Sequence, residues 1–377
     1  VHDIDRDPIR PLIEGGISER QLRAWAAWQG DKDIERRAYF ARRGVFPISG
    51  GGEVALRKIQ AALEVTRGTD LAATRKVYAK GQMTKEANWQ VPEEDRGTFI
   101  SQYRSSLGIV TAAFPLSGGC TYEDQPWWNQ LWLKGGVSGV LSATSVYTYT
   151  FVPTPATDDL KSATFEWGDD TQAFQMNYGM IDTFDITGAL DSFWHFDAGV
   201  IGTDMGSTTF TGALSDRTCE DINTYLTRLA LGAAGAVPSS YMTGRFISFK
   251  LSGKNNLARK WFADGVAPTI GGIGRGKREF ELEVTMEGNA ATITERGVWE
   301  AGTNRVARIT ATGTNIPASS PTTPKSADIV VPGKWRAFAV GERDTNTIVT
   351  GTLMPEYDAT LAYDLSFAVA NGLVSLP

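Results

Sequence analysis

Histidine and cysteine are nearly absent: the chain has two of each in 377 residues. That removes most of the usual material for acid-base and nucleophilic chemistry. His2 stands at the start of the sequence. His195 lies among Phe193, Trp194 and Phe196, where a core or edge histidine with a local hydrogen bond fits better than a catalytic base. Cys120 and Cys219 form no disulfide framework and suit a reducing compartment. No Gly-x-Ser-x-Gly, His-Glu-x-x-His or Cys-x-x-Cys occurs. No apolar run reaches the roughly 18 residues of a membrane span, so no membrane insertion by this chain is expected. Basic excess is also missing: 37 Lys and Arg face 43 Asp and Glu, a net charge of −6. A protein gripping nucleic acid over its whole surface would be basic. The opening Val1-His-Asp-Ile-Asp-Arg-Asp is acidic where a secretion signal would be basic.

Two patterns resemble sites but fail on chemistry. Asp3, Asp5, Asp7 and Glu14 have the spacing of a calcium loop, yet Pro8 occupies the slot that needs glycine. Gly272-Ile-Gly274-Arg-Gly276 lacks the Lys-Ser/Thr ending of a phosphate loop and reads better as a flexible hairpin tip. The expectation is therefore no enzyme, with no catalytic, cofactor or metal residues and no cofactor.

What the chain does have is turns, aromatic anchors and alternation. Hydrophobic residues make up 42%, with 40 glycines and 11 tryptophans, as in an all-β globular protein. Tyr147-Thr-Tyr149-Thr-Phe151, Ala163-Thr-Phe165-Glu-Trp167 and Ala173-Phe-Gln-Met176-Asn-Tyr178 alternate apolar with polar, the period of a strand with one buried face. Gly168-Asp169-Asp170 supplies a turn.

Residues 1–52 differ. Ser18 to Gln21 has capping-box spacing, and Leu22, Trp25 and Trp28 follow at helical intervals up to the linker Gly50-Gly51-Gly52. This predicts a helical extension lying on the outside of the assembly or on a neighbouring subunit. Strands are expected at 75–78, 99–103 and 108–114, and a helix at 122–133 with Thr121 as cap. After about Met205 come a helix at 222–231, strands at 246–251 and 277–286, a helix from Ala290, and strands at 305–313 and 361–369. A hairpin turning at Pro332-Gly333-Lys334 is expected between the last two strands.

Lys161-Ser-Ala163 and Thr187-Gly188 recur as Lys325-Ser-Ala327 and Thr350-Gly351. Lys161 precedes Gly188 by 27 positions, and Lys325 precedes Gly351 by 26. Together with the shared order of strand, short helix, strand, hairpin and final strand, this suggests an internal duplication. Charge is uneven too. Ten acids and only Lys161 among basic residues fall between Asp158 and Asp204, whereas residues 245–281 lean basic. Glu166, Asp169, Asp170, Asp182 and Asp185 are candidate channel-wall or inter-subunit acids. Lys250, Lys254, Arg275 and Lys277 are the candidate basic assembly surface. Glu166 is expected to point away from the apolar side of its strand.

Several stretches resemble major tail tube proteins of long-tailed bacteriophages: Glu64-Val-Thr-Arg-Gly68 through Arg75, Pro92-Glu-Glu-Asp-Arg96-Gly97, Gly119-Cys-Thr-Tyr122-Glu123-Asp124, Tyr147 to Phe151, Arg308 to Gly313, and Gly351 to Asp358. The resemblance covers about 53–377. It implies a mainly β fold: two tandem tail-tube-like β-sandwich or barrel domains (53–207 and 208–377), each with a flanking short helix, behind the N-terminal helical extension (1–52). It further implies a structural virion protein. Its subunits would form stacked rings, three duplicated chains giving a pseudo-hexameric ring, through whose lumen double-stranded DNA passes. The implied partners are further copies of itself, the tape measure, the tail terminator and the distal tail protein. The implied place is the virion tail, assembled in the host cytoplasm. Two alternatives remain: a tube subunit of a contractile injection machine, and a carbohydrate-binding or cell-surface β-sandwich using its tryptophans as a sugar platform.

Overall fold

The computed structural model describes residues 53–156, 158–263 and 269–376. The expected helices around Trp25 and Trp28, and the acidic pattern from Asp3 to Glu14, lie outside the described residues. The chain falls into two units. The described part of the smaller one is 53–57, with a single 3-10 turn at Val54–Leu56, and the loop Asp169–Gln172.

The larger unit is mainly β. It opens with β1 (Lys58–Leu63), β2 (Arg75–Lys76), β3 (Lys80–Gly81), β4 (Thr84–Gln90) and β5 (Ser106–Gly119). Helix α1 (Gln125–Trp132) and the hairpin β6 (Val140–Ala143) and β7 (Val146–Phe151) follow. Then come β8 (Ala163–Gly168), β9 (Ala173–Ala189), β10 (His195–Gly202) and β11 (Gly206–Thr208). The second part runs β12 (Thr227–Ala233), β13 (Phe246–Lys254), β14 (Leu257–Lys260), β15 (Gly272–Arg275), β16 (Glu279–Glu287) and helix α2 (Ala290–Glu300). It ends with β17 (Arg305–Asn315), β18 (Pro324–Arg343), β19 (Asn346–Pro355) and β20 (Ser366–Asn371).

Local sequence explains these elements. On β16, Leu282, Val284 and Met286 are buried while Glu279, Glu281 and Glu283 are exposed, which is period-two alternation realised. Helix α2 starts at a capping box: the Asn289 side chain accepts from the N–H groups of Ala291 and Thr292, and the Thr292 hydroxyl accepts from the Asn289 N–H. Helix α1 is wholly buried. The Asn129 side-chain amide oxygen therefore accepts from the Gln125 side-chain amide and from the Trp132 indole, each at 2.9 Å. Thr121 accepts from the Asp124 N–H, a residue ahead of α1, while Asp124 itself occupies the cap position.

Two long strands organise the sheets. The first half of β9 pairs with β8 and β11, and its second half pairs with β10 and β13. The first half of β18 pairs with β17 and β20, and its second half with β19. At each changeover stands a glycine. A Cβ at Gly179 would lie 2.8 Å from the Ala163 carbonyl oxygen, and one at Gly333 would lie 2.1 Å from that of Met354. Each glycine is followed three residues later by a bulge, at Asp182 and at Arg336. Pro332 is tolerated within β18 because it sits just beyond the last residue paired with β20.

The ladders join into one long antiparallel sheet in the order β3 and β4, β5, β10, β9, β13, β16, β19, β18. Two shorter stacks branch from it, β2-β1-β8-β9-β11 and β12-β17-β18-β20-β7-β6. The pairings β1-β8-β9-β10-β5-β4 are repeated by β12-β17-β18-β19-β16-β13, and in each set of six one helix falls between the third and fourth strands in sequence: α1 between β5 and β8, and α2 between β16 and β17.

Several sequence expectations are corrected. Residues 222–231 are not helical. Ile222, Leu226 and Ala230 imitate a helical face, but 227–233 form β12 paired with β17, with one 3-10 turn at Thr224–Leu226. There is no turn at Pro332–Lys334, since β18 runs straight through and turns at 344–345. Residues 99–103 form no strand, and the last strand starts at Ser366. Gly272–Arg275 is strand β15, paired with β14. The repeated Lys-Ser-Ala words fall on strands that do not correspond. One leads into β8, whose counterpart by pairing is β17, and the other opens β18.

The core centres on α1. Trp132 stacks on Phe184 at 4.8 Å, Phe184 on Phe196 at 5.5 Å, and Trp128 packs on Phe196 at 4.6 Å. A polar knot anchors the start of this helix to the second part. Lys325 of β18 bonds Glu123 at 2.5 Å and Glu220 at 3.0 Å. Burial pushes the Glu220 carboxyl up, but bonds from Thr314 and Lys325 outweigh it and hold the pKa below the usual range.

Two outcomes are expected. Phe184→Ala should cost about 3–5 kcal/mol in denaturant unfolding, because a fully buried ring leaves a cavity against Trp132. Lys325→Met should cost on the order of 2–3 kcal/mol, since two charge-assisted bonds are lost. A carboxylate with a lowered folded pKa stabilises above its unfolded pKa, and that contribution is lost as pH falls through the folded value. Thermal melts against pH should therefore show the gap between the parent chain and the Lys325→Met variant narrowing as pH falls through the range in which Glu220 protonates, because the variant has lost the contribution that acid removes.

Candidate functional site: the outward face of the long sheet

The long sheet has two unlike faces. One carries Phe114, Leu116, Phe184, Ile186, Phe196, Leu251, Leu282 and Leu353, all buried. The other presents short polar and charged side chains whose register aligns them in rows across strands. One row runs Lys80, Ser117, Asp197, Asp185, Ser252, Glu281. A second runs Thr187, Lys250, Glu283, Thr352, Ala337. A third holds Thr183, Lys254 and Glu279. On β10, β9, β13 and β16 the acids Asp185, Asp197, Glu279, Glu281 and Glu283 face outward against Lys250 and Lys254, with Arg336 of β18 3.6 Å from Glu281 and Lys80 at the β3 edge, so the central strands of this face are net negative.

Some of these acids are neutralised within the chain. Lys250 bonds Asp185 at 3.0 Å and stands opposite Glu283, and Lys254 stands opposite Glu279. Asp197 and Asp185 face one another directly, a like-charge pair that costs stability. His195 Nε2 lies 3.8 Å from Asp197, on an exposed strand position and outside the aromatic core.

The candidate acids and bases of the sequence separate in space. Asp185, Lys250 and Lys254 come together on the outward face. Asp182 lies at the β9 bulge, where its carboxylate accepts the Leu257 N–H at 2.7 Å. Glu166 is a correction: it is buried on β8, both faces of which are covered, and its carboxylate takes the Thr211 N–H at 2.8 Å and hydroxyl at 2.6 Å. Asp169 and Asp170 belong to the small unit as loop caps. Asp169 accepts from the N–H groups of Thr171 and Gln172, and Asp170 from that of Glu53. Arg275 donates to the Asp158 carbonyl, and burial together with the neighbouring Arg278 lowers its pKa. The Lys277 carbonyl accepts from Asn256 at 2.8 Å. Arg275 lies on β15, which pairs with β14 and not with the long sheet, and Lys277 lies between β15 and β16. Glu279, Glu281 and Glu283 belong to the same face, and the alternation from Phe280 to Met286 is the sequence signal that puts them opposite the apolar side.

Both outer edges of the long sheet, the outer side of β3 and β4 and the distal half of β18, are unpaired among the described residues. A mainly β chain with one apolar face, one polar face and open edges has the build of a structural subunit. A family model described as phage tail tube protein matches residues 55–370. The chain belongs to that family and is a structural protein of a phage tail tube, a class that assembles with itself and with other tail proteins. No curated protein matches it.

Replacing Asp197 by Asn removes the direct repulsion with Asp185. Thermal unfolding should show a gain of roughly 0.2–1 kcal/mol at low salt, shrinking as salt screens the pair.

Proposed function

We propose that this chain is the major tail tube subunit of a long-tailed phage, that three copies close into one ring, and that stacked rings form the conduit for double-stranded DNA. The single observation carrying the reading is the long sheet with a polar, net-negative face and two open edges. In this reading residues 53–207 and 208–377 are two tandem domains, supported by the repeated order of strand pairing and by Gly179 and Gly333 standing at the same place in it. Three chains then supply six such units. The outward face is the bore wall. Duplex DNA carries about one charge per 1.7 Å of axis, so a basic wall would bind it at many phosphates, whereas an acidic wall lets it slide.

The tube joins the tape measure during assembly and the tail terminator and distal tail protein at its ends, with assembly in the host cytoplasm. The contractile-machine alternative shares the fold type, but a chain of this length with repeated strand pairing fits it less well. The sugar-platform reading is disfavoured because six of the nine described tryptophans are buried.

Purified chain at high concentration should give rings or tubes in negative-stain images, with a ring mass of three chains. Six chains per ring would overturn the trimer and leave the tube, and a monodisperse monomer would overturn the tube. Asp185→Lys with Asp197→Lys and Glu281→Lys should still give tubes but slow DNA release from the assembled phage, more so at low salt. Unchanged release kinetics would remove the bore-wall assignment.

A further inference from the structure

Within the chain, β9 of the first part pairs with β13 of the second over Thr183–Ala189 and Ser248–Lys254. By the repeated pairing order, β18 is the counterpart of β9, and β3 with β4 is the counterpart of β13. The register of each match follows from the ladders. Ile181 and Trp335 precede the two bulges, so Thr183 matches Ala337 and Asp185 matches Ala339. Gly81 stands opposite Leu116 as Phe249 stands opposite Val284, so Met83 matches Leu251 and Thr84 matches Ser252. Burial agrees: Met83 is 2% exposed and Leu251 is 0% exposed. The helix side agrees as well, since Trp299 stacks on Phe338 as Trp132 stacks on Phe184.

We infer that the distal half of β18 in one copy pairs antiparallel with β3 and β4 of a second copy of this chain, with Thr84 directly opposite Ala339. This inference rests on the tail-tube reading and adds to it the strands and the register. The same register sets Met83 opposite Val340 and Glu86 opposite Ala337. One end of the ladder then places Lys80 opposite Arg343, a like-charge pair with Glu342 adjacent on the strand.

Three observations favour a second copy as the occupant. Both strands are single-sided among the described residues, and a bare edge with a row of unpaired N–H and C=O groups is a template for strand addition. The edges are also unusually bare of cover: all of β4 and 339–343 are exposed, with Val340 at 61% and Trp89 at 60%. Finally, the contact is head-to-tail, using a different edge on each partner, and it continues a seam already built in this chain. A heterologous contact of that kind closes into a ring when its rotation divides a full turn. The β14-β15 segment after β13 supplies a further parallel. Arg259 there reaches the Ala112 carbonyl of β5 at 3.0 Å. The matching loop after β4, with exposed Phe99 and Ile100, would lie over β16 of the neighbour.

The test is a cysteine pair in the full chain, Thr84→Cys with Ala339→Cys, under mild oxidation. Opposed residues of an antiparallel pair have Cβ atoms about 4.5–5.5 Å apart, within adjustment of disulfide geometry. Both positions are exposed in the single chain, so folding should be untouched. Denaturing gels should show a covalent ladder ending at the closed ring. Each single variant, and the shifted pair Thr84→Cys with Gly341→Cys, should stay uncoupled. As a second measurement, Thr84→Lys with Ala339→Lys should abolish rings, and Thr84→Glu with Ala339→Lys should restore them. Tubes that form without cross-linking at 84 and 339, or that tolerate the double lysine, would overturn the strand assignment and leave the tube reading standing. Absence of rings from the unmodified chain would overturn both.

Discussion

The structure depends on the ladder between β9 and β13. Those seven facing pairs join the strands β3, β4, β5, β10 and β9 to β13, β16, β19 and β18 as one sheet, and they do so with backbone groups, which must be paired wherever water is excluded. The ladder is possible because β9 is long enough to serve two sheets. Its first half satisfies β8 and β11, and its second half remains available to β10 and β13. β18 is built on the same plan, yet only one side of its distal half is taken by β19. The molecule therefore contains one completed seam and two sheet edges that are open among the described residues.

A strand that changes partners must twist sharply and let another backbone come close. Gly179 and Gly333 answer that requirement, since a Cβ at either would collide with a neighbouring carbonyl oxygen. The bulges at Asp182 and Arg336 then reset the register for the second sheet. Helix α1 lies against this turn of the sheet, and its tryptophans stack on Phe184 and Phe196. Lys325 joins the start of α1 to β18 through Glu123 and Glu220, so the two parts are held by ion pairs as well as by the ladder.

The outward face shows what function adds to folding. Alternation alone requires only that its residues be polar. The direct opposition of Asp185 and Asp197 goes further, because it spends stability on negative potential. In the tube proposed for this chain that expense has a reason: a wall passed by a polyanion has to avoid holding it.

The sequence by itself determined the mainly β character, most strand positions, both helices of the described residues and the polar identity of the sheet's outer face. Those properties follow from period-two alternation, caps and turn residues, which act between near neighbours. Other matters depended on partners distant in the chain. Ile222 to Leu231 has helical spacing but is drawn into β12 by pairing with β17. Glu166 alternates as an exposed residue should, yet β1 and β9 flank its strand and Thr211 receives its carboxylate. The matching Lys-Ser-Ala words suggested a repeat in the wrong frame, because short words of common strand residues recur by composition, whereas the ladders align Gly179 with Gly333. Only the tertiary structure could decide which carboxylates share a face, since a face is set by strand register, and register is a hydrogen-bonding relation between residues that the sequence keeps far apart.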